Sequence, residues 1–398
     1  MAKLKSDEAL IAGATRLPTG KFLGALSGFT APELGALAIR AAMKRAEIRP
    51  ELVEEVIMGN VVQAGEGQAP ARQAAIKGGV PDGVPALTIN KVCGSGLKAV
   101  MLAANSIKAG EQDVMIAGGM ESMSSAPYML PKARNGYRMG NGELVDLVVH
   151  DGLWCAFENL HMGMSAELIA DKFEISREAQ DEFAYNSQRK AAQSIEAGVF
   201  KREITPVEIK TKKGVTLFEV DEPPRFDTTL ESLTALKPAF KPQGGSVTAG
   251  NAPGLSDGAS AMVVLSRTAA ERYGIAPQAR ITGYASAALE PKYVFAAPPL
   301  AVNKLLEQTG LKLGDFDLVE VNEAFAAQVL ANHKELHFDL SRVNVRGGAI
   351  ALGHPIGSSG AKILTTLIHA LQDTGGKRGL VTLCLGGGGA VALSIELI

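Results

Sequence analysis

The sequence predicts an α/β protein built from two copies of one strand–helix unit, with a loop-rich insertion between them. Three observations carry this reading. Apolar, β-branched runs alternate with helical patterns, two distant stretches follow one plan, and the composition changes between those stretches. At 398 residues the chain also exceeds one ordinary hydrophobic core, so two or three domains are expected.

Taken along the chain, a helix is expected over 32–46 and a strand over 53–58, where Val53, Val56 and Ile57 supply the apolar residues. A strand-like run over 87–92 leads into a helix over 95–108, and a strand over 113–117 ends near Gly118-Gly119. Residues 176–197 form a further helix with Ser176 as its N-cap, placed to meet the backbone of Ala179. Strands over 261–265, 317–321 and 380–385, and helices over 301–309 and 359–371, complete the set. Asn60 precedes Cys93-Gly94-Ser95-Gly96 by 33 residues, and Asn322 precedes Gly357-Ser358-Ser359-Gly360 by 35. A helix follows each, and then a strand ending in paired glycines. Between the copies, over about 121–250, Met, Pro, Asn, Gly and charged residues dominate, the composition of ligand-contacting loops.

Composition narrows the function. Apolar residues are 46% and charged residues 21%, which is globular, and the net charge of −2 without a basic tract excludes a nucleic-acid footprint. No apolar run approaches the length of a membrane span, and Lys3, Lys5, Asp7 and Glu8 argue against a secretory signal. An odd count of three cysteines argues against a disulfide framework and for a reducing, cytoplasmic setting. The 44 glycines, many in apolar company, point to tight turns and close backbone approach.

Cys93 falls just before a predicted helix whose first residues are small. Helix N–H groups and the helix dipole favour a thiolate there, although the local sequence alone reads equally as a buried structural cysteine. His354 sits among Gly353, Pro355 and Gly357, an irregular backbone suited to presenting an imidazole base to a nucleophile. Cys384 precedes Gly386-Gly387-Gly388-Gly389, which either exposes N–H groups to an oxyanion or simply turns a strand end. That glycine run lacks the Lys-Ser/Thr of a phosphate loop. His333 and His337 have helical metal-ligand spacing but no third ligand, so no metal site is expected.

Together these stretches resemble the thiolase family over nearly the whole chain. Asn90-Lys91-Val92-Cys93-Gly94-Ser95-Gly96 is similar to its nucleophile motif and Asn322-Glu323-Ala324-Phe325 to its second motif. Gly353-His354-Pro355-Ile356-Gly357 and Cys384-Leu385-Gly386-Gly387-Gly388 are similar to the third and fourth, in the family's order. The resemblance implies the thiolase fold, two duplicated αβ domains in five αβαβα layers plus an inserted loop domain. Its boundaries would be 1–120 with 250–273, 121–249 for the CoA-binding loop domain, and 274–398.

The resemblance also implies roles. Cys93 would carry the acyl group, and His354 would accept its proton and hold the thioester oxygen of the second acyl-CoA. Asn322 would position a water at that oxygen, and Cys384 would remove or return the α-proton. The N–H groups of Cys93 and Gly386 would form the acyl-enzyme oxyanion hole. His161-Met162-Gly163 resembles the short-chain version of the family. Leu153, His161, Met162, Arg225, Ser232, Phe240, Ala249, Ala324 and Phe325 fall at positions resembling CoA and acyl contacts. The implied reaction is reversible condensation of two acetyl-CoA, with CoA thioesters as substrates and no permanently bound cofactor. The alternatives are a broader-chain 3-ketoacyl-CoA thiolase of fatty-acid degradation and a silent acyl-CoA-binding protein. A homotetramer or homodimer is implied. Three positions depart from the family pattern: Pro253 where Ser is usual, Arg346 where Asn is usual, and Gly389 where Met is common.

Overall fold

The computed structural model describes residues 8–212 and 214–398, so Lys3, Lys5 and Asp7 lie outside the described residues. The framework strands are β1 (Ala9–Arg16), β2 (Glu55–Gly59), β3 (Ala86–Ile89), β4 (Val114–Ser122) and β5 (Ser256–Ser266), then β6 (Ala279–Ala288), β7 (Leu318–Val321), β8 (Arg378–Leu385) and β9 (Gly389–Leu397). The helices that concern the site are α1 (Ala31–Arg45), α2 (Pro70–Lys77), α3 (Ser95–Ala109) and α4 (Met162–Lys172), then α5 (Arg177–Glu196), α6 (Pro298–Thr309), α7 (Ala326–Leu336) and α8 (Ser359–Thr374). Among the described residues, no helix is long and apolar enough to cross a membrane.

The nine strands run β7-β8-β9-β6-β1-β5-β4-β2-β3, and Gly20–Lys21 adds a short flap on β5. The duplication is visible in this order. In the first half β1 pairs antiparallel with β5, β5 antiparallel with β4, and β4 parallel with β2. In the second half β6, β9, β8 and β7 repeat the same three relations. The halves join through two register pairs, Leu10 with Arg280 and Ile11 with Ala279.

Layering follows from which faces are apolar. Leu97, Val100 and Ile107 of α3 and Leu364, Leu367 and Leu371 of α8 share one buried cluster with strand residues of both halves. The two helices therefore form a middle layer. Leu34, Ala38 and Ile39 of α1 cover the outer face of the first half. Ala301, Val302 and Leu305 of α6 cover that of the second. Five layers result, and both parallel units have the covered faces that parallel strands need.

β1, β6 and β9 are absent from the sequence reading. All eight residues of β1 are buried, and β6 and β9 are rich in Ala, Gly and Ser. A strand covered on both faces, as β1 and β9 are, shows no alternation to read, and the partly buried β6 offers too few large apolar residues to show one. The 113–117 segment continues to Ser122 because Gly118 and Gly119 are strand residues paired with β5. Ser176 caps α5 as expected, its Oγ accepting the Ala179 N–H at 3.2 Å.

The glycines make the middle layer possible. A methyl on Gly119 would stand 2.0 Å from the carbonyl oxygen of Gly357, and one on Gly360 would stand 2.4 Å from the amide of Leu97. Gly119→Ala therefore displaces backbone rather than a flexible side chain, at a cost of roughly 1–3 kcal/mol. Its thermal unfolding midpoint is expected to fall. Gly28→Ala, with no heavy atom within 4 Å of the new methyl, should leave the midpoint unchanged. Equal midpoints in the two variants would contradict this packing.

Candidate active site

Cys93 is delivered by a turn, since β3 ends at Ile89 and the strand-like reading of 87–92 is too long. Asn90 Oδ1 accepts the Val92 N–H at 2.9 Å, and Ser95 Oγ donates to the Val92 carbonyl at 2.6 Å. These bonds hold Val92 at φ 48°, a left-handed conformation that a β-branched residue rarely adopts. Half-buried Cys93 is thereby presented two residues ahead of α3. Its own N–H and that of Gly386 both bond toward the thiol. Burial nevertheless pushes the thiol up to about 12, against those donors, and the buried Glu121 carboxyl adds to the rise. The helix-end preference for thiolate, ~0.3–1 kcal/mol, is thus outweighed by desolvation. At rest Cys93 is a neutral thiol.

His354 follows Gly353, whose φ of +80° brings its Cα against Ser256, Thr19 and Pro223. Ser256 Oγ accepts the His354 backbone N–H at 3.2 Å. Ser359 Oγ lies 2.5 Å from Nδ1 and donates its one proton to the Pro355 carbonyl at 2.8 Å. It can therefore only accept from the ring, which assigns the proton to Nδ1 and leaves Nε2 bare. Burial pushes the imidazole down to about 3, with Lys362 contributing, so the bare Nε2 is a neutral base. Lys362 fixes the approach to the ring by donating to the carbonyls of Leu352 at 2.6 Å and Gly353 at 3.0 Å.

Asn322 is buried behind the ring, its Nδ2 3.4 Å from Nε2, and its Oδ1 has no protein partner. Cys384 lies at the penultimate position of β8, and burial, with Cys93 close enough to oppose its ionisation, raises its thiol well above the ordinary range. Gly387 and Gly388, at φ 83° and 85°, turn β8 into β9. The glycine run is therefore a hairpin that also turns the Gly386 N–H toward Cys93.

Cys93, His354, Cys384 and Gly386 open onto one cavity of about 410 Å³, walled mainly by apolar side chains. Leu153, His161, Met162, Phe240, Ala249, Ala324 and Phe325 also line it. His161 N-caps α4, its Nδ1 accepting the Gly163 N–H at 3.0 Å, and it stacks on Phe240 with ring centroids 4.7 Å apart. Arg225 and Ser232 lie outside these walls, exposed, and Ser232 shares a helix-capping box with Thr229.

Of the three departures, only Pro253 lines the cavity. Arg346 is buried among Glu203, Asp373 and the His369 carbonyl. The space beside Gly389 is taken by Leu385, whose Cδ1 would stand 2.5 Å from an added methyl. The missing side chain there does not enlarge the cavity.

Sequence reasoning missed Ser256, Ser359, Glu121 and Glu323. Glu323 accepts from Ser187 Oγ, Asn344 Nδ2 and the Ile350 N–H at 2.7, 2.8 and 3.1 Å, fixing the loop ahead of His354. Its place beside Asn322 in the second motif was the one available signal.

Two neutral thiols, a bare imidazole nitrogen and two converging N–H donors in an apolar cavity define an acyl-transfer site on a duplicated five-layer fold. Residues 9–268 match the family model for the thiolase N-terminal domain and residues 275–397 that for the thiolase C-terminal domain, and the chain belongs to the thiolase family. Among curated relatives it is 53% identical to the acetyl-CoA acetyltransferase of Cupriavidus necator over 390 residues, covering 98% of this chain and 99% of the relative. It is likewise 53% identical to the acetyl-CoA acetyltransferase of Escherichia coli K12 over 388 residues, covering 97% and 98%. The crystal structure of the Bacillus anthracis acetyl-CoA acetyltransferase superposes with a TM-score of 0.97 at 44% identity, over 100% of both chains.

The raised thiol makes a pH prediction. Because the Cys93 thiol titrates near 12, its thiolate fraction at neutral pH is small and grows with every step upward. Alkylation of the free enzyme by iodoacetamide should therefore accelerate continuously up to about pH 9. A plateau near neutrality would mean a thiolate–imidazolium resting pair instead.

Proposed function

We propose that this protein is an acetyl-CoA acetyltransferase that interconverts two acetyl-CoA with acetoacetyl-CoA and CoA through an acetyl-Cys93 intermediate. The observation that carries the reading is the convergence of Cys93, Cys384 and the bare Nε2 of His354 on one apolar cavity beside the Gly386 N–H. Two thiols with one base is what a Claisen exchange requires, one to hold the acyl group and one to move the α-proton.

In the cleavage direction Cys93 Sγ attacks the 3-oxo carbonyl as its proton passes to His354 Nε2. The oxyanion is held by the N–H groups of Cys93 and Gly386. The bond between C2 and C3 then breaks. The acetyl-CoA enolate leaves, its oxygen held by the new Nε2–H and by a water that Asn322 positions, and Cys384 returns a proton to its carbon. CoA thiol next gives its proton to the Cys384 thiolate and attacks acetyl-Cys93; the second acetyl-CoA is released, and the departing Cys93 sulfur takes back the proton held on His354 Nε2. Condensation reverses these steps. The neutral resting thiol and imidazole support proton transfer concerted with attack.

The segment 121–249 would serve as the CoA-binding loop domain. His161, Met162, Leu153, Phe240, Ala249, Ala324 and Phe325 would line the pantetheine and acyl path, and exposed Arg225 and Ser232 would meet the nucleotide outside the cavity. The exposed edge strand β3 and the exposed apolar Tyr128, Met139 and Leu144 suit assembly into a dimer or tetramer. A cytoplasmic setting in fatty-acid metabolism fits the chemistry.

Acetoacetyl-CoA cleavage by free CoA tests the reading. Cys93→Ala is expected to abolish it. Cys384→Ala is expected to lower it by roughly 10²–10⁴-fold while sparing exchange of label between CoA and acetyl-CoA, which needs no α-proton transfer. Faster cleavage of longer 3-oxoacyl-CoAs than of acetoacetyl-CoA would contradict the proposed substrate.

A further inference from the structure

The reaction above leaves one carboxyl beneath the catalytic loops without a role. Glu121, near the end of β4, is fully buried, and among the described residues no cation pairs with it. N–H groups surround it instead. Its Oε2 accepts the Gly357 N–H at 2.8 Å and the Val61 N–H at 3.2 Å, and its Oε1 accepts the Val62 N–H and Asn60 Nδ2, each at 3.1 Å. An apolar residue would serve packing alone, because a buried carboxylate is costly unless its oxygens are met by donors.

The donors come from two loops in different halves of the fold. Val61 and Val62 follow β2, and Gly357 lies three residues past His354. From Val61 the bonds run on to the nucleophile. Its carbonyl accepts Asn90 Nδ2 at 3.3 Å, and Asn90 Oδ1 accepts the N–H of Val92, the residue before Cys93, at 2.9 Å. From Gly357 they run on to the base. Gly357 lies inside a turn closed by the Ser358 N–H on the Pro355 carbonyl at 3.0 Å. The same carbonyl accepts from Ser359 Oγ, which in turn accepts the proton of His354 Nδ1.

We propose that Glu121 is a positioning residue whose carboxylate, by accepting from both loops at once, sets the Cys93 thiol against the bare Nε2 of His354. Oε2 is the joint, since it holds one donor from each half. Glu121 lies outside the walls of the catalytic cavity and acts through the loops. All four contacts come from donors, so the charged form fits the site. Burial pushes the carboxyl up to about 7, and measurements at pH 8 keep it ionised.

The test uses the full chain, and only its activity arm rests on the proposed function. Glu121→Gln preserves shape, but a carboxamide accepts through one atom only, so its NH2 group faces N–H donors in either orientation. Amide hydrogen exchange read by mass spectrometry should quicken in segment 60–62 or 356–358 and stay unchanged in α1. In the activity arm, kcat for acetoacetyl-CoA cleavage should fall about 10–100-fold with KM little changed. Label exchange between CoA and acetyl-CoA should fall by the same factor, because both reactions pass a proton between Cys93 and His354. Asn90→Asp keeps the oxygen that holds Val92 and loses the donor to Val61. It should lower both rates about threefold to tenfold, and the double variant should be no slower than Glu121→Gln. Asn90 is exposed, so this variant tests the link even where Glu121→Gln fails to fold. Unchanged exchange in both segments, cleavage lost with label exchange spared, losses that multiply in the double variant, or full activity in Asn90→Asp would each overturn the assignment. Quickened exchange as expected, in a protein whose wild type does not cleave acetoacetyl-CoA, would fault the proposed function and not the clamp.

Discussion

The contact on which the site depends is backbone against backbone, where the first turns of the two middle-layer helices meet. Gly96 on α3 lies against the amide of Ala361, Gly360 on α8 against the amide of Leu97, and Gly357 against Gly59 and Gly119. A side chain at any of these would hold the helices apart. Cys93 stands just before one helix and His354 a turn before the other, so the approach that packs the core also brings the thiol and the imidazole to one cavity. The duplication explains why two helix starts are available to meet at all. Each copy contributes a strand, a glycine-rich turn and a central helix, and only the turns have diverged in chemistry.

The electrostatics follow from that burial. Desolvation drives both reactive groups toward neutrality, the thiol upward and the imidazole downward, and the cavity walls keep it so. Charge is kept near by but elsewhere. Arg16, fully buried, bonds Glu203 at 2.6 Å and Asp221 at 2.7 Å, and Arg346 adds a second contact to Glu203 at 3.2 Å. Buried pairs of this kind contribute little net stability against apolar packing, but removing one partner is costly. Here they join β1, the segment after α5 and the loop ahead of His354. That places Arg346 in the scaffold of the site and out of reach of substrate.

Much of this was legible in the sequence, and what was not has physical causes. Motif residues could be placed because their chemistry is local: a cysteine before a helix, a histidine among glycines, a cysteine before a glycine run. The helices α1, α3, α5 and α8 carry period and caps and lie within a few residues of expectation. β1 and β9 carry no alternation because they are covered on both sides, and β6, only partly buried, is dominated by small residues. The thiolate preference inferred for Cys93 was a helix-end argument, and no sequence feature reports the desolvation that overrides it. Ser359 was legible only as a helix start, since its bond to His354 depends on how the Pro355 turn folds back.

The central claim is that Cys93 alone carries the acyl group while Cys384, which lines the same cavity, moves only a proton. Mass spectrometry of peptides from enzyme quenched in acid after mixing with acetyl-CoA tests it most directly. The account predicts one acetyl group on the peptide containing Cys93 and none on the peptide containing Cys384. Acetylation of Cys384, or an enzyme that cleaves acetoacetyl-CoA without ever acetylating Cys93, would contradict it.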